Sequence, residues 1–168
     1  MKSFLPFMKY LGLFLLLYFV LYFLFSFAPI ANASSKLYRT TTQPIMEVFF
    51  PQAYFKMETD KAANPDPNLI RLVYAGQEEI KKETELAKQR GDRMINMQAT
   101  ECDLYFNLFF TTFFLFLVSL IVITPIGMKD KLVAVLIGAL LFYLFTVFKL
   151  SIFLLDLFND STYQMYKF

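Results

Sequence analysis

Three long apolar segments most limit what this chain can fold into. They cover residues 11–28, 104–128 and 132–148, and none of them contains a charged residue. At 1.5 Å rise per residue, each is long enough as an α-helix to cross most of a ~30 Å hydrocarbon layer. Helices satisfy their own backbone hydrogen bonds, which lipid cannot do for them. The sequence therefore predicts a membrane α-helical protein with three transmembrane helices.

The composition argues against several classes of function. Apolar residues make up 57% of the 168 residues and charged residues 18%, which is too apolar for an ordinary soluble domain. A formal net charge of +2 provides no strong field for nucleic acid. The chain has no histidine and a single cysteine, so an internal disulfide and the usual metal sites are not expected. We expect no cofactor, no metal and no nucleic-acid partner.

Lysines in the short flanks predict the orientation. Lys2 and Lys9 precede the first apolar segment, and Lys129 and Lys131 lie in the turn between the second and the third. Short cytoplasmic loops are enriched in Lys and Arg, so both flanks are expected in the cytoplasm. The chain is then a multi-pass cell-membrane protein with a cytoplasmic N-terminus and an extracytoplasmic C-terminus.

The first apolar segment also resembles a secretory signal, because the small residues A-N-A follow it at 31–33. Its 18 apolar residues exceed the ~7–15 of a signal core, which favours an uncleaved anchor over cleavage after Ala33. The expected organisation is a transmembrane anchor over 1–29, an extracytoplasmic α+β insert over 30–103, and a transmembrane helical hairpin with a short outer tail over 104–168.

The insert is predicted to begin with a short helix. Thr42 or Gln43 precedes Pro44, which is typical of the first helical position, and Pro51 ends the segment. Because almost every residue between the two prolines is apolar, this helix is expected to lie along the membrane surface.

Two strands and a charged segment follow. Apolar and polar residues alternate over 52–58, and a second strand-like run covers 69–75, so an antiparallel pair is expected. Residues 77–90 are rich in helix formers, which favours a helix; the alternative is a charged hairpin that turns at R-G-D-R, with a further strand after it. The insert has few large apolar residues and is expected to rest on the membrane or on a partner.

Cys102 and Lys149 are weak functional candidates. Cys102 is the only thiol, but Glu101 and Asp103 flank it, and negative charge disfavours the reactive thiolate. Lys149 interrupts an apolar stretch, where an ionisable residue suggests function. A lysine that extends its ammonium group to the membrane boundary is the favoured interpretation over a buried relay.

Small and short polar residues in the apolar segments suggest where helices meet. Ala134 and Gly138 form a small-xxx-small pair, which allows a second helix to approach closely. Either the preceding segment or another integral membrane protein is the expected neighbour.

A transport or channel function would depend on the polar residues of the second apolar segment, which are Asn107, Thr111 and Ser119.

The second half of the chain resembles the exosortases, which are membrane-sorting enzymes, and the small membrane proteins encoded beside them. The likeness rests on Glu101-Cys102, T-P-I at 124–126, the basic K-D-K turn, V-L-I-G-A-L-L-F at 135–142 and F-K-L-S-I at 148–152. In this resemblance Cys102 matches the nucleophile at the start of an outer-side helix, and Lys149 matches an arginine.

The departures from the exosortase pattern argue against the enzyme. The catalytic histidine is missing, Asp103 and Leu104 replace small residues after the cysteine, and Lys149 replaces the arginine. The layout is closer to the exosortase-associated accessory proteins, which have a first span, a short outer helix, a few outer strands and a hairpin of spans.

These observations favour a non-catalytic accessory or assembly subunit of an envelope protein complex, and the resemblance implies a protein-sorting system as its context. Its expected partners are membrane lipid and another integral membrane protein. The alternatives are a thiol-dependent membrane processing enzyme that uses Cys102, assisted by Lys149, and a transport or channel component.

Overall fold

The computed structural model describes residues 4–59, 66–90 and 99–160. Its elements, in chain order, are α1 (Phe4–Phe25), α2 (Ala28–Phe49), β1 (Ala53–Thr59), β2 (Leu69–Gly76), α3 (Gln77–Arg90), β3 (Thr100–Tyr105), a π-helical turn (Asn107–Thr111), α4 (Thr112–Ile123) and α5 (Met128–Asp160). The protein is therefore mostly helical, with one small sheet.

Two helices are long and apolar enough to cross a membrane. These are α1, over Phe7–Phe25, and α5, over Met128–Asn159. The π-helical turn and α4 together form a shorter apolar helix, Asn107–Ile123. It is shorter than predicted because β3 takes the first residues of the expected segment: Leu104 and Tyr105 pair with Ile70 and Leu69 of β2.

Helix α4 packs against both α1 and α5. Phe14 of α1 meets Phe116 of α4 edge to face, with ring centroids 5.2 Å apart. The turn between α4 and α5 contains Pro125, and a hydrogen bond from the Lys131 ammonium group to the carbonyl of Val122 spans it. Phe25, at the end of α1, lies around the same cavity as Phe110 and Phe114, so α1 and α4 are antiparallel. The turn after α4 therefore lies at the same end of the helices as the beginning of α1.

Helix α2 corrects the prediction of a short helix that begins at Pro44. It begins at Ala28, with two residues between it and the end of α1, and Pro29 lies at its start while Pro44 is inside it. Proline fits the first turn because the N–H it lacks is unpaired there anyway, whereas in the interior it costs ~3 kcal/mol. Pro44 lies on the exposed side of α2, and the burial of Thr42 and Met46 on the other side of the helix offsets this cost.

Contacts between α2 and α5 run in the same direction along both helices. Tyr38 meets Tyr143, and Thr42 shares a hydrogen bond with Tyr143. One turn later on α2, the Met46 sulfur accepts a hydrogen bond from the Ser151 hydroxyl of α5. Phe50, just after α2, meets Phe158. The second half of α2 therefore lies along the C-terminal half of α5, and its buried side faces protein and not a membrane surface.

The sheet confirms the predicted antiparallel pair and extends it. Its order is β1-β2-β3, with Phe55 opposite Tyr74 and Leu72 opposite Cys102. The helix predicted for residues 77–90 is confirmed as α3, and the alternative hairpin there is wrong. The strand-like alternation after it and the outer tail fall largely on 91–98 and 161–168, outside the described residues.

The main core joins the sheet to α5. Leu150, Leu154 and Phe158 are fully buried at spacings of four residues, which places them on one face of α5. They belong to one cluster with Phe55 and Leu72 of the sheet. The C-terminal turns of α5 thus supply the large apolar side chains that the insert lacks.

Candidate functional site

Cys102 lies in β3, not at the start of a helix as the exosortase resemblance implied. It is half-buried, pairs with Leu72 and packs against the main core. Burial, and then the neighbouring Asp103 carboxylate, raise the pKa of the thiol. A raised pKa keeps the thiol protonated, which is the opposite of what a cysteine nucleophile needs.

Lys149 lies on the exposed side of α5, over an aromatic ring. Its ammonium nitrogen is 4.4 Å from the ring centroid of Phe109, which is in the π-helical turn. This is the geometry of a cation–π interaction. Among the described residues, no hydrogen bond or ion pair joins Lys149 to Cys102, so the structure does not bring the two candidates together in one site.

Gly138 lies where α5 meets α4. A Cβ atom placed on it would be 2.9 Å from Leu117 Cδ2 and 3.3 Å from Ile121 Cδ1. Ala134, one turn earlier, is half-buried. The small residue at position 138 therefore permits the close approach of the two helices of the hairpin.

Short polar side chains of α4 and of the turn before it face the interior. Thr111 and Ser119 are buried on the same side as Leu115, at four-residue spacing. Asn107 begins the π-helical turn, and its carbonyl accepts from the Thr112 hydroxyl, five residues on. A π-helical turn changes the helical register, which is how buried positions continue across the junction with α4.

A buried hydroxyl cluster joins α2 to α5. The Thr42 hydroxyl lies 3.3 Å from that of Tyr143, the Thr146 hydroxyl donates to the Tyr143 carbonyl, and the Tyr38 hydroxyl lies beside Thr146 and Thr42. Sequence reasoning missed this cluster. The signal was present in Tyr143 and Thr146, two polar residues one turn apart inside an apolar segment, but nothing local to α5 identified α2 as their partner.

Next to this cluster is a half-open cavity of about 430 Å³ with an almost wholly apolar wall. Four elements form it, and representative lining residues are Phe25 of α1, Leu37 and Thr41 of α2, Phe110 of the π-helical turn, Phe114 of α4 and Ala139 of α5. Its volume is within the ~300–1,000 Å³ range of small-molecule sites. It is therefore a candidate binding site for an apolar ligand.

Hydroxyl groups that border the cavity are turned towards their own helix. The Ser34 hydroxyl donates to the carbonyl of Ile30, and the Thr41 hydroxyl donates to the carbonyl of Leu37. Tyr143 contributes its ring to the wall while its hydroxyl lies next to Thr42. These groups therefore present carbon to the cavity, which suits a hydrocarbon ligand better than a polar one.

Within the described residues, no cluster of three or more His, Cys, Asp or Glu side chains is arranged to hold a metal ion. No protein-family model, no curated protein and no solved structure matches this chain.

Proposed function

We propose that this chain is an integral membrane protein with three crossings that serves as a non-catalytic accessory or assembly subunit of an envelope protein complex. The observation that carries the proposal is the core shared by the sheet and the last turns of α5. A domain fixed in this way to a membrane helix holds a constant position relative to the bilayer, which suits a subunit that presents a surface to a partner.

Charges at the two ends of the apolar part of α5 support the membrane placement. Lys131 and Lys149 are 18 residues apart, or about 27 Å along a helix, which is close to the ~30 Å thickness of the hydrocarbon layer. Between them, large apolar side chains such as Leu136, Leu140 and Leu144 are exposed. Lys149 is then a boundary residue, with its ammonium group at the headgroup level.

The third crossing in this proposal is the apolar helix Asn107–Ile123, formed by the π-helical turn and α4, which is about 26 Å long. It packs between α1 and α5, and Phe109, at its outer end, lies under Lys149, which we place at the boundary. A hydrophobic length slightly below the bilayer thickness is accommodated at modest cost. The lysines of the α4–α5 turn then face the cytoplasm, and the sheet lies outside the cell, with the polar insert exported.

The environment of Cys102 favours the accessory role over a thiol-dependent enzyme. The raised pKa and the packing of the thiol on the core are those of a small structural side chain. The likeness to exosortase-associated proteins supplies the context that we propose for the complex, protein sorting at the cell envelope.

Purification of the tagged, full-length protein from native membranes in mild detergent tests this function. We expect a stable companion membrane protein to co-purify, and a photoreactive residue at exposed Leu136 to cross-link to it in intact cells. The same photoreactive residue at buried Leu115 is the matched control and is expected to give no adduct with another protein. A monomeric species without a companion, and without adducts from Leu136, would contradict the proposal.

A further inference from the structure

We infer that the apolar cavity between α1, α2, α4 and α5 binds one acyl chain of a membrane lipid. This inference rests on the proposed membrane placement. It goes beyond general lipid contact because it assigns a defined site, a defined depth and one class of occupant.

Depth is the first argument for a lipid chain. Ala139 and Tyr143, which line the cavity, lie ten and six residues before Lys149 on α5, or about 15 Å and 9 Å along the helix. With Lys149 at the boundary, the cavity lies within the leaflet on the side of the sheet. Acyl chains, and not headgroups or water, fill a bilayer at that depth.

Access is the second argument. The cavity is half open, and Leu37 on its rim has 67% of its surface exposed. Leu24, beside Phe25, and Leu140 and Leu141, beside Ala139, are exposed as well. The opening is therefore continuous with the exposed apolar surface of α1 and α5, and a chain can enter from that side; on the α2 side, exposed Lys36 adjoins Leu37.

The wall chemistry is the third argument. Ser34 and Thr41 direct their hydroxyl groups to backbone carbonyls, and the aromatic residues around the cavity offer ring surface. A polar ligand would lose its hydrogen bonds with water and find none here, whereas a hydrocarbon chain loses nothing. A single chain also suits a cavity of about 430 Å³ better than a transmembrane helix of a partner, which is ~10 Å wide.

Photolabelling of the reconstituted protein tests the site. The full-length protein is placed in phosphatidylcholine vesicles that contain a phosphatidylcholine with a diazirine on its acyl chain, irradiated, and digested for mass spectrometry. We expect adducts to concentrate on the peptides that contain Phe110–Phe114 and Ala139–Tyr143. Adducts spread evenly over the exposed faces of α1 and α5 would overturn the inference.

Two variants that fill the cavity make the test specific. Ala139→Phe fills it from α5 and Ser34→Leu from α2, so the result does not depend on the folding of one variant. Each is expected to lower cavity labelling about tenfold, because the new side chain takes the space in which the acyl chain would make its van der Waals contacts. Leu140→Phe, next to Ala139 but on the exposed surface, is the matched control and should leave labelling unchanged. Equal labelling of wild type and both filled variants would overturn the inference.

A protein occupant is distinguished in native membranes. A photoreactive residue at Leu37 is expected to form lipid adducts; an adduct with another protein in their place would overturn the lipid assignment. The vesicle experiment contains no partner protein, so failure of cavity labelling there leaves the proposed assembly function intact. Conversely, absence of a companion in native membranes does not change the labelling expected in vesicles.

Discussion

At the residue scale, Cys102 shows how the fold determines the chemistry of a side chain. In the sequence it is a lone thiol near an apolar segment, and in the structure it is a half-buried residue of β3 that pairs with Leu72 and packs against the core. Burial and the Asp103 carboxylate both disfavour the thiolate, and burial has the larger effect. The same residue in a helix next to a cation would have the opposite tendency.

The raised pKa of Cys102 leads to a measurable pH dependence. Because the thiolate reacts and the thiol does not, the midpoint of its alkylation by iodoacetamide is expected at a higher pH than for free cysteine. Asp103→Asn should move the midpoint to lower pH, since it removes the smaller of the two causes. Glu78→Gln, which neutralises an exposed carboxylate on α3, should have no effect. A midpoint at or below that of free cysteine would contradict this expectation.

Gly138 provides a second prediction at this scale. Gly138→Leu is expected to lower the free energy of unfolding in detergent by about 1–3 kcal/mol relative to its control, because the new side chain pushes α5 away from Leu117 and Ile121. The control is Gly12→Leu in α1, where nothing lies within 4 Å of an added Cβ atom. Both changes raise helix propensity equally, so their difference isolates the packing effect. Equal stability of the two variants would show that Gly138 is not a close contact.

At the element scale, α5 has two different environments along its length. Its first turns expose large apolar residues on one side, and its last turns bury Leu150, Leu154 and Phe158 against the sheet and α2. A helix of 33 residues is about 50 Å long, which exceeds the ~30 Å hydrocarbon layer. In the proposed membrane placement, the excess length joins the membrane part of α5 to the α+β part.

This division of α5 predicts the effect of truncating its side chains. Leu154→Ala is expected to lower the free energy of unfolding by about 2–5 kcal/mol, because Leu154 has no exposed surface and its loss leaves a cavity in the main core. Ile152→Ala, half a turn earlier with 53% of the side chain exposed, should change stability by no more than ~0.5 kcal/mol. Denaturant unfolding in detergent, followed by tyrosine fluorescence, measures both. Similar losses in the two variants would show that the last turns of α5 lack a preferred face.

At the scale of the whole molecule, the packing places the sheet and the α4–α5 turn at opposite ends of the helices. The proposed membrane placement therefore puts α3 and the turn on opposite sides of the bilayer. A cysteine is introduced by Lys82→Cys on α3, or by Lys129→Cys at the turn, with Cys102→Ser as the background. Both lysines are exposed, which makes the two positions comparable.

We expect an impermeant maleimide to label position 82 in intact cells and position 129 only after the cells are permeabilised. The reason is that lysines in short loops resist translocation, whereas the insert is carried across. The reverse pattern would mean that the charges of the turn do not set the orientation. Labelling of both positions from outside would contradict three crossings.

Sequence alone determined the elements whose cause is local. Uncharged apolar runs predict helices, alternation predicts the strands β1 and β2, and helix formers predict α3, because each of these signals depends on neighbours a few residues away. The start of α2 was wrong for the same reason: a proline after a polar residue fits both a helix start and a helix interior. Only the packing of Tyr38, Thr42 and Met46 against α5 decides between them.

Tertiary structure decided everything that depends on contacts distant in sequence. Tyr38 and Tyr143 are separated by about a hundred residues, so no local pattern indicates that their side chains meet beside an apolar cavity. The place of Cys102 in β3 depends in the same way on pairing with Leu72. Burial free energy belongs to the assembled surfaces and not to any one segment, which is why the sequence fixes what each segment prefers and the fold fixes which side chains meet.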